Sequence, residues 1–433
     1  MKNKTLSLLA ALSLIVGCAP ESELPTFSSV QITLDTGDTS RPTVAVSRTG
    51  DAIFWAWIRK DDDGWNVYAS RVTEDGQDST EPVRVNHIPG NANPHAQAPA
   101  QVEIGPEGYV YVAWTNSTYI PERRFPASDL LFSRSTDGGV TWSEERPVNS
   151  DAGGEPSGHT FHNMTTLADG TILISWIDSR ERDNLGGSVP MESSASMNED
   201  SPHTHEMQHE SNLDASGQPV GSQIRIAASR DAGLTFVETA VADNSACPCC
   251  RTTMAVSKSG EVYLAWRHEF ENGARDPVIA RSDDGGLTFT DPTRVSDDNW
   301  VIEACPHAGP GLSVDDNGTV HVSWFTAAAS GIGLFTARSN DGALSFEPKE
   351  LLKADQPVSH TAHAQMAAGV SGIAVEQVSL RNIDVFASTD GVGGRTLVST
   401  IPGKSPSFAG GGGVSAMSFE AQEGIVSVVW RSK

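Results

Sequence analysis

The chain is poor in cysteine, tyrosine and positive charge. Its 433 residues hold five cysteines, five tyrosines and 30 Lys+Arg against 55 Asp+Glu, a formal net charge of −25. A surface so acidic excludes nucleic acid as a partner, because phosphate neutralisation requires Lys and Arg. Amphipathic helical periodicity is absent, and beyond the N-terminus no apolar run is long enough to span a bilayer. Scarce cysteine also means that the fold is not a disulfide scaffold. With 38% hydrophobic residues the chain has ample material for a core, so the expectation is an all-β globular protein.

The N-terminus, "MKNKTLSLLAALSLIVGC", has Lys2 and Lys4 ahead of an apolar stretch from Leu6 to Val16. This is the form of an export signal. Its end, Ile15-Val16-Gly17-Cys18, resembles a bacterial lipobox, in which the cysteine is lipidated after cleavage. The expected division is a signal peptide at 1–17, a lipidated tether at 18–28 and one folded unit at 29–433. The expected location is the bacterial cell envelope, on its periplasmic or extracellular face, held by the lipid on Cys18 alone.

What is abundant is repetition. Glycine followed by alternating apolar residues and tryptophan recurs as "GDAIFWAW" to Trp57, "GYVYVAW" to Trp114 and "GTILISW" to Trp176. It continues as "GEVYLAW" to Trp266, "GTVHVSW" to Trp324 and "GIVSVVW" to Trp430, with a weaker copy, "GIAVEQV", from Gly372. Alternation with period two indicates strands. Between these strands lie "STDGGVTW" (Ser135–Trp142), "SRDAGLTF" (Ser229–Phe236), "SDDGGLTF" (Ser282–Phe289) and "SNDGALSF" (Ser339–Phe346). Asp and Gly at fixed offsets build a tight turn, and the aromatic residue returns the chain to the packing between sheets. The expected fold is a β-propeller of four-stranded blades, seven in preference to six, with "VQITLD" (Val30–Asp35) free to close the last blade.

The residues suited to chemistry concentrate in segments leading into the innermost strands. They are His95, His159 and His162, the cysteines of "CPCC" (Cys247, Cys249, Cys250), Cys305 and His307 of "CPH", and His360 and His363. Counted back from Gly260 and Gly318, Cys247 matches Cys305 and Cys249 matches His307. Thiolate with imidazole suits copper or zinc. An oxidising compartment makes disulfides the competing reading. An insertion at about 181–222 carries His203, His205, Met207 and His209, a composition suited to metal capture that favours copper.

The repeated turns match the Asp-box of the sialidase (BNR-repeat) superfamily, and the chain resembles that superfamily over nearly its whole expected mature length. It also resembles a bacterial sialidase-like lipoprotein subset with "CPCC", "ACPHAGP" and "WFTAA" elements. The resemblance implies an exo-α-sialidase or another glycoside hydrolase, or a carbohydrate-binding propeller. Sialidases hold a carboxylate with arginines and attack through a late tyrosine. Arg41 stands where the first arginine would be, Arg251 and Arg267 could join it, Asp62 could supply an acid, and Glu376 could replace the nucleophile. The tyrosines, Tyr68, Tyr109, Tyr111, Tyr119 and Tyr263, all precede the place of the nucleophile. The leading expectation is therefore an exported propeller binding a soft metal, copper first, at a Cys/His-lined channel mouth. A carbohydrate ligand is the alternative, and a scaffold for an envelope protein partner is the third reading.

Overall fold

The structure is a computed structural model that describes residues 24–121, 123, 125–184, 221–302, 307–354, 358–389 and 394–432, without the side chains of 184, 359 and 360. Among these residues the strands fall into five antiparallel sheets of four and one sheet of eight; the helix Arg180–Asn184 is a single short turn. The eight-stranded sheet is two four-stranded sets joined only where Ala246 pairs with His268. The protein is all-β.

Each set begins with an inner strand: Thr39–Val46, Gln101–Ile104, His159–Thr166, Thr253–Val256, Gly311–Val314, Val358–Ala367 and Lys404–Gly411. Each inner strand packs on the next, and Lys404–Gly411 packs on Thr39–Val46, so the arrangement is a closed ring. The last set takes its fourth strand from the other end of the chain. Phe27–Asp35 pairs antiparallel with Ile425–Ser432, with Val30 opposite Val429. This leaves no set short of a strand and shelters the sheet edges, the hazard that radial β architectures manage.

Strand Ile425–Ser432, with Trp430, is the third of its set, and Val414–Glu420 is the second. The repeat copy "GIVSVVW" therefore holds a different rank from the other tryptophan strands. Strands buried between neighbouring sheets share one pattern, so alternation reveals burial and not rank within the sheet. The true second-strand tryptophans Trp57, Trp114, Trp176, Trp266 and Trp324 are each 0% exposed. Burying an indole also requires a partner for its N–H. Trp57 donates to Asp35 Oδ2 at 3.1 Å, Trp176 to Asp178 Oδ2 at 2.8 Å and Trp324 to Asp298 Oδ2 at 2.7 Å.

The Asp-box turns join third to fourth strands, as at Ser135–Trp142 between Leu130–Ser135 and Arg146–Pro147. Asp137 Oδ1 accepts from Ser135 Oγ at 2.8 Å and from Thr141 N at 2.9 Å, while Oδ2 accepts from Thr141 Oγ1 at 2.6 Å. Asp231, Asp284 and Asp341 repeat the pattern. The Thr141 hydroxyl and its backbone N–H hold the Asp137 carboxyl down at about 2. The boxes thus consume their own polar groups, as architectural turns do.

Candidate functional site

Antiparallel alternation places the leads into inner strands on the face opposite the Asp-boxes. Four inner strands carry a register shift there, between Ser40 and Thr43, Thr160 and Asn163, Val358 and Thr361, and Lys404 and Ser407. Inside three of these shifts a residue takes a left-handed conformation: Arg41 at φ 52°, Phe161 at 57° and Ser405 at 57°. His307, ahead of Gly311–Val314, does so at 48°. Such φ values cost a non-glycine residue about 1 kcal/mol or more, and they concentrate where a chain is re-aimed for function.

Behind the mouth, a polar belt stitches several inner strands to their neighbours. Thr43 Oγ1 donates to Ala100 O at 2.7 Å, Gln101 Nε2 to His162 O at 3.0 Å and Thr253 Oγ1 to Pro310 O at 2.8 Å. Met254 N donates to Asn163 Oδ1 at 2.8 Å and Val44 N to Ser407 Oγ at 3.2 Å. These residues carry no motif; only the shared position of Thr43, Gln101, Asn163 and Thr253, each opposite the residue that precedes the second-strand tryptophan, could have drawn attention to them.

The mouth opens into a cleft of about 390 Å³, part of it open to solvent, whose walls include Arg41, Gln97, Arg251, Glu376 and Ser405. Arg41 is anchored, its Nε 3.2 Å from Glu420 Oε1 and its Nη1 donating to Ser405 Oγ. Glu376 Oε2 accepts from Ser405 N at 2.9 Å. Arg251 is half-buried, and desolvation followed by the Arg41 charge pulls its guanidinium down to about 10. The buried Gln97 Oε1 has no hydrogen-bond partner among the described residues. His95 and His307 stand at the same mouth, their rings 6.5 Å apart, and His95 Nδ1 accepts from Gln97 N at 3.1 Å. Burial, then His307 and Arg41, lowers the His95 pKa. Two guanidiniums, one of them paired with Glu420, thus share this cleft with the Glu376 carboxylate.

Arg41, Arg251 and Glu376 thus come together, and two of the other expected catalytic residues do not join them. Asp62 is exposed in the turn after strand Ile53–Asp61. Arg267 is 1% exposed and bonded to main-chain carbonyls, donating from Nε to Ala308 O at 2.8 Å and from Nη1 to Arg275 O at 2.9 Å. Tyr68 donates its hydroxyl to Asp61 Oδ2 at 2.6 Å, and no tyrosine lines the cleft.

The cysteines form a second locus, in the turn from Val237–Ala246 to Thr253–Val256. Cys247 Sγ lies 3.6 Å from Cys249 Sγ and 3.8 Å from Cys250 Sγ. All three residues are buried, and none of the three is in a disulfide. Contacts from Cys249 and Cys250 hold the Cys247 thiol well below its ordinary range, whereas burial pushes the Cys250 thiol up. Among the described residues this is the one group of three or more His, Cys, Asp or Glu whose ligand atoms converge within 4.8 Å.

The expected imidazole ligands go elsewhere. His159 is bonded through Nδ1 to Ser128 O at 2.6 Å and stands with Nε2 3.0 Å from Asp151. His162 Nε2 lies 3.2 Å from Ala113 O; burial lowers this imidazole to about 4. His363 lies between Ser313 Oγ at 3.0 Å and Ser323 Oγ at 2.7 Å. Cys18, His203, His205, Met207, His209 and Cys305 lie outside the described residues, as does the side chain of His360.

No family profile and no curated protein matches the chain. Among solved structures it is similar to polysaccharide lyase Uly1, at 11% identity over 92% of this chain and 90% of that one, with a TM-score of 0.52. It is also similar to a protein of unknown function from Dyadobacter fermentans, at 15% identity over 95% and 100% of the chains, with a TM-score of 0.49. A Hadza microbial sialidase, Hz136, matches at 15% identity over 88% and 76%, again with a TM-score of 0.49. At such identities the likeness is one of fold alone, that of a β-propeller built from four-stranded antiparallel sheets.

Proposed function

We propose that this chain is an envelope-anchored propeller that binds an acidic saccharide in the axial cleft. The observation that carries the reading is Arg251 beside a second guanidinium, Arg41, in the wall of one cleft. Two cations held close repel one another, and a ligand carboxylate between them relieves that repulsion. Glu376 is the carboxylate of the cleft wall, whereas glycoside hydrolysis takes two flanking carboxyl groups. Binding is therefore favoured over hydrolysis.

Titration calorimetry with N-acetylneuraminic acid and with a glucuronate-terminated oligosaccharide tests this, each against its neutral analogue. We expect the acidic sugars to bind about tenfold or more tightly than the neutral ones, a difference of about 1.4 kcal/mol, and Arg251→Ala to abolish that preference. Equal binding of the neutral sugar would overturn the reading, as would binding of neither. Turnover of a fluorogenic sialoside would restore the hydrolase alternative.

A second reading, a soft metal held by Cys247, Cys249 and Cys250, is favoured by the convergence of their sulfurs. Their burial suits a metal that stays over one that is delivered, since delivery needs an accessible ligand. Metal analysis of protein purified without chelator tests it; protein free of bound metal would remove it.

A further inference from the structure

The cysteine turn rests on the soft-metal reading, and the charges around it select the ion. In a tetrahedral thiolate site with bonds of about 2.3 Å, neighbouring sulfurs stand about 3.8 Å apart. The Cys247 sulfur meets its two partners at 3.6 and 3.8 Å. Those separations are far beyond a disulfide bond of about 2.05 Å. The turn is fixed as well as crowded, because Cys247 N donates to Arg267 O at 2.8 Å. The cluster therefore resembles a preformed ligand set in spacing, local rigidity and exclusion of water.

Three bound thiolates carry three negative charges into a buried volume, which is costly unless nearby cations balance them. Arg267, 1% exposed, lies in the same volume, and its recorded hydrogen bonds go to the carbonyls of Ala308, Arg275 and Phe325. It brings one positive charge that those neutral acceptors do not cancel. Arg275, also 1% exposed, faces Glu269 at 3.6 Å and brings little net charge. A divalent ion with Arg267 makes the cluster neutral, while a monovalent ion leaves one negative charge buried.

We infer that Cys247, Cys249 and Cys250 hold a divalent thiophilic cation of the zinc class, with Arg267 completing the charge balance. Copper(I), the ion favoured by the composition of the 181–222 insertion, matches the sulfur chemistry but not this charge count.

The test uses the full mature chain, expressed with zinc and copper equally supplied and purified without chelator. We expect one zinc per chain by mass spectrometry. Cobalt(II) added to chelator-stripped wild-type protein should reach its endpoint at one equivalent, with the intense thiolate-to-cobalt charge-transfer absorption. Cys249→Ser should lower zinc retention against a chelator by about tenfold or more. Should that variant fail to fold, the cobalt spectrum of the wild type decides. Copper in place of zinc overturns this inference and leaves the soft-metal reading standing. Metal-free protein whose 247–250 peptide is alkylated at all three thiols, or disulfide-bonded, overturns both. Undiminished zinc in a folded Cys249→Ser variant overturns the ligand assignment.

Discussion

At the Asp-box Ser282–Phe289, Asp284 collects Ser282 Oγ at 2.8 Å, Thr288 N at 2.9 Å and Thr288 Oγ1 at 2.6 Å, and the turn satisfies itself. At the opposite face the half-buried Arg251 stands beside a like charge, the buried Gln97 Oε1 lacks a donor, and four non-glycine residues stand at positive φ. Both regions are connections between strands of one repeat. One has used up its hydrogen-bonding capacity on itself, and the other has kept some in reserve. Repetition marks architecture here, and departure from it marks the place where a ligand can supply what the protein leaves unmet.

The sharpest break of the box face is Gly233→Ala. Gly233 has φ 81°, and a methyl group there would run into the Phe132 ring. Left-handed strain of about 1–2 kcal/mol adds to about 1–3 kcal/mol of overpacking, so a loss of about 2–4 kcal/mol in chemical denaturation is expected. Ala343 occupies the same place in the fourth box at φ 67°, which makes Ala343→Gly the near-neutral control. Asp284→Ala should cost less, about 1–2 kcal/mol, through its lost hydrogen bonds.

The same aspartate has a signature in acid. Its hydrogen bonds with Thr288 hold it at about 2, below the ordinary value near 3.9. A depressed folded pKa stabilises above the unfolded value and loses that contribution as pH falls through the folded one. Melting temperature should therefore drop between about pH 4 and pH 2 by less in Asp284→Ala than in wild type. An equal drop would show that the box carboxylate contributes nothing to acid stability.

At the mouth the expectation reverses. Arg251→Met should leave unfolding stability unchanged within about 0.5 kcal/mol or raise it, because a repelled half-buried charge is replaced by an apolar side chain of similar reach. A clear loss of stability would assign Arg251 to the scaffold.

The smallest effect expected is a slope with pH at His159. Burial alone would lower its pKa, but Asp151 and Asp178 overcome this and the net shift is upward. A raised histidine stabilises fully below its unfolded value near 6.5 and loses that contribution as pH rises through the folded value. Stability measured from pH 6.5 upward should fall in wild type and stay flatter in His159→Gln; parallel slopes would refute it.

Much of the frame was legible in the residues. Period-two alternation with recurring glycine and tryptophan implied strands, the Asp-boxes implied turns, and Val30–Asp35 was available to close the ring that it does close. That "GIVSVVW" is a third strand, while "GYVYVAW" and "GTILISW" are second strands, is a matter of pairing that no local pattern carries. The cleft was partly legible, since Arg41, Arg251 and Glu376 had been singled out, but Gln97 and the Thr43–Gln101–Thr253 belt had not. Their significance lies in hydrogen bonds across sheets, 57 and 61 residues away for Thr43 and Gln101.

The cysteines divide the same way. "CPCC" already brought three sulfurs within one short turn, because a chain of four residues cannot hold them far apart. Whether His159, His162 and His363 would join them depended on which way each inner-strand side chain faced. That was decided by register shifts, and by carbonyls and hydroxyls of neighbouring strands that claimed those imidazoles first. Sequence determined the repeat, the turns and the thiol cluster, all set by short-range geometry and periodic burial. Tertiary structure decided which polar groups were satisfied and which were left facing the axis, because those partners come from different sheets.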